Sequence, residues 1–301
     1  RSEKDHDLPL DKIKSFFYFA KKYKVSTLVI SGGEARMHPE FKKLCNFLKK
    51  QKRDGIRLVL QTNGTMIGDD FIDITKIFDT IHISFDPSNL VRLNSSANLL
   101  LAKKLLQQGI SSYLFTTLHR GNYKNLTKII NLANKNEVPI GFNVCLPTKK
   151  QGNELAVPLK DFFALEKKLF NFSREGKILR YSGPLTAIFS PEKKIGYSGN
   201  RGGCIAGIAS CVISFNGDVY ACPFFRVSAG NIFNTSLLNI WKKSELFNLI
   251  RDRKKYHDPC GHCSYLSYCG GCRNRALKLN GDVLSVDPFC HLIKNSDKLA
   301  I

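Results

Sequence analysis

Ten cysteines stand in this 301-residue sequence, and they are unevenly placed. Cys45 and Cys145 are isolated, one on an apolar helix-like face and one in a strand-like run, where cysteine packs as a small apolar residue. The other eight, Cys204, Cys211, Cys222, Cys260, Cys263, Cys269, Cys272 and Cys290, follow 58 residues that contain none. Such clustering calls for local chemistry. An iron–sulfur cluster takes four thiolates, and eight cysteines supply two full sets. Zinc ribbons also use C-x2-C pairs, but they space the pairs by a dozen residues or more against the five here, and one ion would use only four sites. Disulfides would need an oxidising compartment, for which the opening residues show no export signal. His257, His262 and His291 lie near the cysteines and read as supporting or surface residues, since the thiolates already suffice.

A second set of chemistry-bearing residues lies far upstream. The chain reads Ile30-Ser31-Gly32-Gly33-Glu34, then Gln61-Thr62-Asn63-Gly64, then Ser84-Phe85-Asp86-Pro87. Two glycines let a backbone approach a ligand closely, and an acid beside them can pair with a cation. Each segment alone is ordinary turn chemistry, because Asn-Gly and Asp-Pro are turn formers in their own right. Their joint placement, each at the end of an apolar run, is harder to dismiss.

The elements that must position these residues can be read from periodicity. Leu10, Ile13, Phe16, Phe17, Ala20 and Tyr23 recur at helical spacing, so a helix is expected from about Pro9 to Tyr23. Apolar, β-branched runs predict strands at Ser26–Ser31, Ile56–Gln61, Thr80–Phe85, Ser111–Leu118 and Ile140–Leu146. Helical segments are expected at His38–Gln51, around Asp70, and at Leu99–Leu106, Leu126–Ala133 and Phe162–Phe170. Nearly continuous apolar strands alternating with helices imply a parallel sheet, as an α/β barrel or a doubly wound sheet, and both gather function at the carboxyl ends of their strands. The rhythm stops after Asn171. A Gly-, Pro- and Ser-rich linker over 172–203 then separates a first domain, 1–171, from the cysteine-rich region, 204–301. Asn216-Gly217 between two short runs predicts a hairpin that brings Cys211 and Cys222 together, and one short amphipathic helix is expected from about Asn234 to Ile250.

Composition sets the outer bounds. With 43% hydrophobic and 24% charged residues the chain can bury a core, and it has no apolar run near the roughly 18 residues that a membrane span needs. A soluble, cytoplasmic protein with no membrane partner is expected. The formal charge of +21 favours anionic partners, although the basic runs sit on helix-like segments where a solvated face explains them, and two four-iron clusters would remove about four charges. A zinc-dependent nucleic-acid-binding module is disfavoured. The cysteine region lacks the compact basic stripe and interleaved aromatics such modules use.

These residues together resemble the radical SAM superfamily, whose partial (β/α)6 TIM-like barrel carries Gly-Gly-Glu, Thr-Asn-Gly and Ser-x-Asp after successive strands. Here the first barrel strand is absent, and Ala35 replaces the usual proline after the acid. The resemblance implies that Gly32, Gly33 and Glu34 hold the methionine amino group of S-adenosyl-L-methionine (SAM). Ser84 would face its ribose or carboxylate, and Thr62, Asn63 and Asp86 would complete the wall. The cysteine spacing resembles the SPASM extension of the same superfamily, with a gap of two residues where three are usual. By that pattern Cys204, Cys211, Cys222 and Cys272 bind one auxiliary 4Fe-4S cluster, and Cys260, Cys263, Cys269 and Cys290 a second.

The family's C-x3-C-x2-C loop, which holds the SAM-cleaving 4Fe-4S cluster, does not occur in this sequence. The expectation is that it lies upstream of Arg1, a degenerate homologue being the alternative, and that the chain alone does not cleave SAM. The resemblance implies an oxidoreductase, fed by an electron donor such as flavodoxin or ferredoxin, whose 5′-deoxyadenosyl radical modifies a ribosomally made peptide by thioether formation, carbon–carbon crosslinking or oxidative decarboxylation. The tail from Cys269 to Cys290 also resembles members acting on haem precursors, so tetrapyrrole side-chain modification is the second expectation. No catalytic acid or base can be named.

Overall fold

The computed structural model describes residues 7–51, 53–68, 70–87, 95–145, 155–179, 181, 183–189 and 203–293. Residues 190–202, much of the linker, and Leu146 at the expected end of a strand lie outside them. The chain divides into two compact units, one of residues 7–144 with 176–179, the other chiefly of 145–175 and 180–301.

In the first unit, helix α1 (Leu10–Lys22) leads into β1 (Thr27–Ile30), α2 (Phe41–Lys50), β2 (Arg57–Thr62), the short α3 (Phe71–Thr75), β3 (Thr80–Ser84), α4 (Ser95–Gln107), β4 (Ser112–Leu118), α5 (Leu126–Lys135) and β5 (Ile140–Val144). The strands form one sheet in sequence order, every pair parallel. That order, with a helix in each crossover, is the (β/α) barrel rhythm.

Register separates the two faces of this sheet. Val29, Val59 and Thr80 share one level, and Gln61, His82 and Tyr113 share the next level of the same face, because Val29 pairs with Val59, Val59 with Thr80, Gln61 with His82 and His82 with Tyr113. This inner face is mixed: Val59 and Thr80 are buried, His82 and Tyr113 are half-buried, and Val29 and Gln61 are exposed. The opposite face carries Leu58, Leu60, Ile81, Ile83, Leu114 and Leu118, all with no accessible surface. The helices supply its cover from Phe17 and Ala20 of α1, Phe41, Leu44 and Leu48 of α2, Ala102 and Leu105 of α4, and Ile129, Ile130 and Ala133 of α5. Burial of each such Leu, Ile or Phe side chain stabilises the sheet by about 1.5–3 kcal/mol.

The second unit starts with α6 (Leu159–Arg174). Its Phe162 meets Phe289 edge-on, ring centroids 4.6 Å apart, so this helix packs on the cysteine-rich chain. A small hairpin follows, β6 (Val212–Ile213) against β7 (Val219–Tyr220), antiparallel, with Gly217 at φ 82° in its turn. The single helix expected near Asn234–Ile250 is two: α7 (Leu237–Lys243) and α8 (Glu245–Arg251). Ser244 leaves helical geometry at ψ 124°, and its hydroxyl accepts from the Phe247 amide, so it caps α8 where the apolar pattern runs on unbroken. Helix α9 (Arg273–Asn280) was not expected from the sequence. It buries Arg273, Asn274, Arg275 and Ala276, so three of its four buried residues are polar and the apolar periodicity that marks a helix is missing.

Candidate functional site

The upstream motifs all fall at the carboxyl ends of strands: Gly32 to Glu34 after β1, Thr62 to Gly64 closing β2, and Ser84 to Asp86 closing β3. Glu34 is buried, and its carboxylate is held by neighbours from the next strand. Its Oε2 accepts from the Thr62 hydroxyl at 2.8 Å and from the Asn63 amide at 2.9 Å. Asn63 Nδ2 donates to the Gly33 carbonyl at 3.3 Å, so β1 and β2 end in one tied unit. Beside Gly32 and Gly33 the space is open, with no heavy atom within 4 Å of where a Cβ would stand. A side chain there would occupy room that the glycines leave for a ligand.

Asp86 is oriented by the following strand and turn. His119 Nε2 lies 3.2 Å from Oδ2, and Asn122 Nδ2 donates to Oδ1 at 3.3 Å. Asn98, on α4, is 2% exposed and donates from one amide nitrogen to the Asn63 carbonyl at 3.0 Å and the Ser84 carbonyl at 2.8 Å. It clamps the ends of β2 and β3. Gly64 makes the clamp feasible: its φ is 77°, and a Cβ there would stand 1.9 Å from Asn98 Oδ1. Sequence reasoning missed Asn98, His119 and Asn122. They stand on the elements after the motifs, and their only signal was a polar residue within an otherwise apolar helix or at a strand end.

In the second unit the cysteines separate into groups by their mutual influence. All ten are free thiols. Burial raises the Cys204, Cys222 and Cys272 thiol pKa values, and Cys222 raises that of Cys204, Cys272 that of Cys222, and Cys204 that of Cys272. Burial likewise raises Cys260, Cys269 and Cys290, where the mutual influences run among Cys260, Cys263, Cys269 and Cys290. Cys211 is pushed up to about 11 by burial, and the nearby charge of Arg251 works against this. The hairpin places Cys211 and Cys222 at the outer ends of its paired strands. A cleft of about 540 Å³ is lined by Cys260, Cys263 and Cys290 together with His262 and Ile293. Among the described residues no three acidic, His or Cys side chains converge on a single-ion site. Eight thiols in this unit are the donor set that two four-iron clusters require.

Comparison with known proteins follows the same division. Residues 204–264 match the SPASM family, an iron–sulfur cluster-binding domain. The chain is 26% identical to an AdoMet-dependent heme synthase of Methanosarcina barkeri, across 94% of this chain and 87% of that protein. It belongs with the radical SAM proteins that carry a SPASM domain. The mycofactocin maturase MftC of Mycobacterium tuberculosis is a further relative, 24% identical across 87% of this chain and 69% of MftC. The fold of this radical SAM–SPASM protein matches Streptococcus suis SuiB, solved with S-adenosylmethionine, at a TM-score of 0.74 and 18% identity, over 94% of this chain and 70% of SuiB. A partial TIM-like α/β barrel with a C-terminal SPASM domain is therefore its architecture. No helix among the described residues is long and apolar enough to cross a membrane.

Proposed function

We propose that this radical SAM–SPASM protein binds S-adenosylmethionine at the carboxyl ends of β1, β2 and β3 and uses it to oxidise an unactivated carbon of a ribosomally made peptide. The observation that carries the reading is the Glu34 carboxylate, buried beside two open glycines and fixed through Oε2 by Thr62 and Asn63. A carboxylate held this way presents negative charge to the ammonium of the methionine moiety, and the glycines admit its backbone-like portion. Ser84 faces the ribose or carboxylate. Asp86, steadied by His119 and Asn122, completes the wall beside Asn63.

When bound and reduced, the family's four-iron cluster supplies the electron that splits S-adenosylmethionine into methionine and a 5′-deoxyadenosyl radical. This chain's residues orient the cofactor and exclude water around it. Cys204, Cys211, Cys222 and Cys272 would hold one auxiliary 4Fe-4S cluster and Cys260, Cys263, Cys269 and Cys290 a second, and such clusters would supply a one-electron acceptor. An electron donor such as flavodoxin or ferredoxin primes the cycle.

The peptide reading is supported by similarity to the maturase MftC. Tetrapyrrole side-chain modification is the second reading, and the longer match to a heme synthase favours it. The protein, reconstituted anaerobically with iron and sulfide, should be incubated with S-adenosylmethionine, strong reductant and either peptides encoded beside its gene or haem precursors. We expect 5′-deoxyadenosine in step with a mass change in the peptide. A mass change confined to the tetrapyrrole would select the second reading, and no 5′-deoxyadenosine with either would overturn both.

A further inference from the structure

One buried glycine stands inside a strand, where no turn asks for it. A Cβ on Gly141 of β5 would lie 2.6 Å from Cε1 of Phe115 on the neighbouring strand. Glycine in a strand interior weakens it and marks a close approach. Here it lets the Phe115 ring lie across the inner face of β5. His82 of β3 continues the row: its ring centroid is 4.6 Å from that of Phe115, tilted by 38°, and 5.9 Å from that of Tyr113, tilted by 26°. All three rings are half-buried, on the face of the sheet that the helices do not cover. The register sets Phe115 level with Ser84, and His82 with Tyr113 one level further from the carboxyl ends of the strands, a step of about 7 Å. The row of rings therefore runs directly below the strand ends that Ser84 and Asp86 close.

The polar groups along this row are neutral. The ring nitrogens of His82 make no hydrogen bond to any described residue. Burial, with the charge of Arg57 second, holds the ring uncharged at neutral pH, so it offers one donor and one acceptor. Gln61, level with His82 on β2, accepts from the Ser31 hydroxyl through Oε1 at 2.8 Å, and its NH2 group has no acceptor among the described residues. Arg57 is the one charged residue that the five strands place on this face. Flat apolar rings with neutral donors and acceptors at their edge match an uncharged aromatic ring that carries a polar atom. They do not match a ligand with several carboxylates, for which Arg57 would be the sole cation.

We propose that the inner face at Phe115 and His82 seats an uncharged aromatic side chain of the peptide substrate, its ring against these two rings and its polar atom hydrogen-bonded to His82. The inference rests on the peptide reading above and adds the class of residue that is presented to the radical. It makes His82 and Phe115 specificity-determining residues, and Gly141 the residue that keeps the Phe115 ring flat.

The test is binding of N-acetyl-tyrosine amide and N-acetyl-phenylalanine amide to the anaerobically reconstituted protein with S-adenosylmethionine present, followed by saturation-transfer NMR. N-acetyl-glutamate amide and a carboxylated porphyrin serve as charged comparisons. We expect saturation on the ring protons of both aromatic amides, with the tyrosine amide the tighter. His82→Phe keeps a ring in the row and removes its hydrogen bonds, so it should raise the Kd of the tyrosine amide about tenfold and leave that of the phenylalanine amide unchanged. Gly141→Ala displaces the Phe115 ring and should weaken both, and Phe115→Leu carries the same test if Gly141→Ala does not fold. Four results overturn the inference alone while S-adenosylmethionine still binds: neither aromatic amide bound, the glutamate amide or the porphyrin bound as tightly, equal effects of His82→Phe on both amides, or no effect of displacing Phe115. A parent protein that binds no S-adenosylmethionine overturns the reading beneath it.

Discussion

Glu34 and Asp287 show how single carboxylates do different work in the two units. Glu34 is held by the Thr62 hydroxyl and by the Asn63 and Arg36 amides, and a bound ammonium would be its counter-charge. Glu34→Ala should weaken S-adenosylmethionine binding at least tenfold, about 1.4 kcal/mol, measured by calorimetry on the reconstituted protein. Unchanged affinity would remove Glu34 from the site. Asp287 instead neutralises a fully buried guanidinium, both partners being 1% exposed. Asp287→Ala strands Arg275 in the interior and should cost about 3–5 kcal/mol of stability. A denaturant midpoint that implies less than about 1 kcal/mol would show that Arg275 has another partner or is hydrated.

At the scale of elements, the ends of β2 and β3 depend on α4. Asn98→Ala removes two hydrogen bonds that satisfy the Asn63 and Ser84 carbonyls, and it should cost about 2 kcal/mol. It should also weaken S-adenosylmethionine binding, which would not follow if α4 were only cover for the sheet. On the inner face His82 lies against the Tyr113 and Phe115 rings, and burial, with the charge of Arg57 second, holds its pKa at about 4 against 6.5. The unfolded chain takes up that proton near pH 6.5 and the folded chain resists until about pH 4. Stability is therefore full above pH 6.5 and falls as the pH drops toward 4, by up to about 2 kcal/mol between pH 7 and 5. His82→Gln should flatten that slope in denaturation curves collected across this range, and an unaltered slope would place the titration elsewhere. The strands were legible in the sequence because each apolar run is buried on the helix-covered face, and the motifs were legible because turns expose small polar residues at strand ends. Asn98, His119 and Asn122 were not, since a side chain that reaches across to another element leaves no periodic signal. Nor was α9, whose buried face is mostly polar, nor the break at Ser244, where a cap interrupts an unbroken apolar pattern.

Across the whole molecule, a parallel sheet gathers Glu34, Asn63 and Asp86 at its strand ends, and a separate unit carries the eight clustered cysteines. That a SPASM domain matches 204–264 accounts for the first five cysteines of the cluster-binding series, from Cys204 to Cys263, and the remaining three, Cys269, Cys272 and Cys290, lie just beyond it. The central claim is that all eight serve two iron–sulfur clusters. It is tested most directly by iron, sulfide and zinc analysis of the anaerobically reconstituted protein and of the Cys260→Ser, Cys263→Ser variant. Two clusters predict about eight irons per chain with matching sulfide, falling to about half in the variant. Stoichiometric zinc without iron, or an iron content the double substitution leaves unchanged, would contradict it.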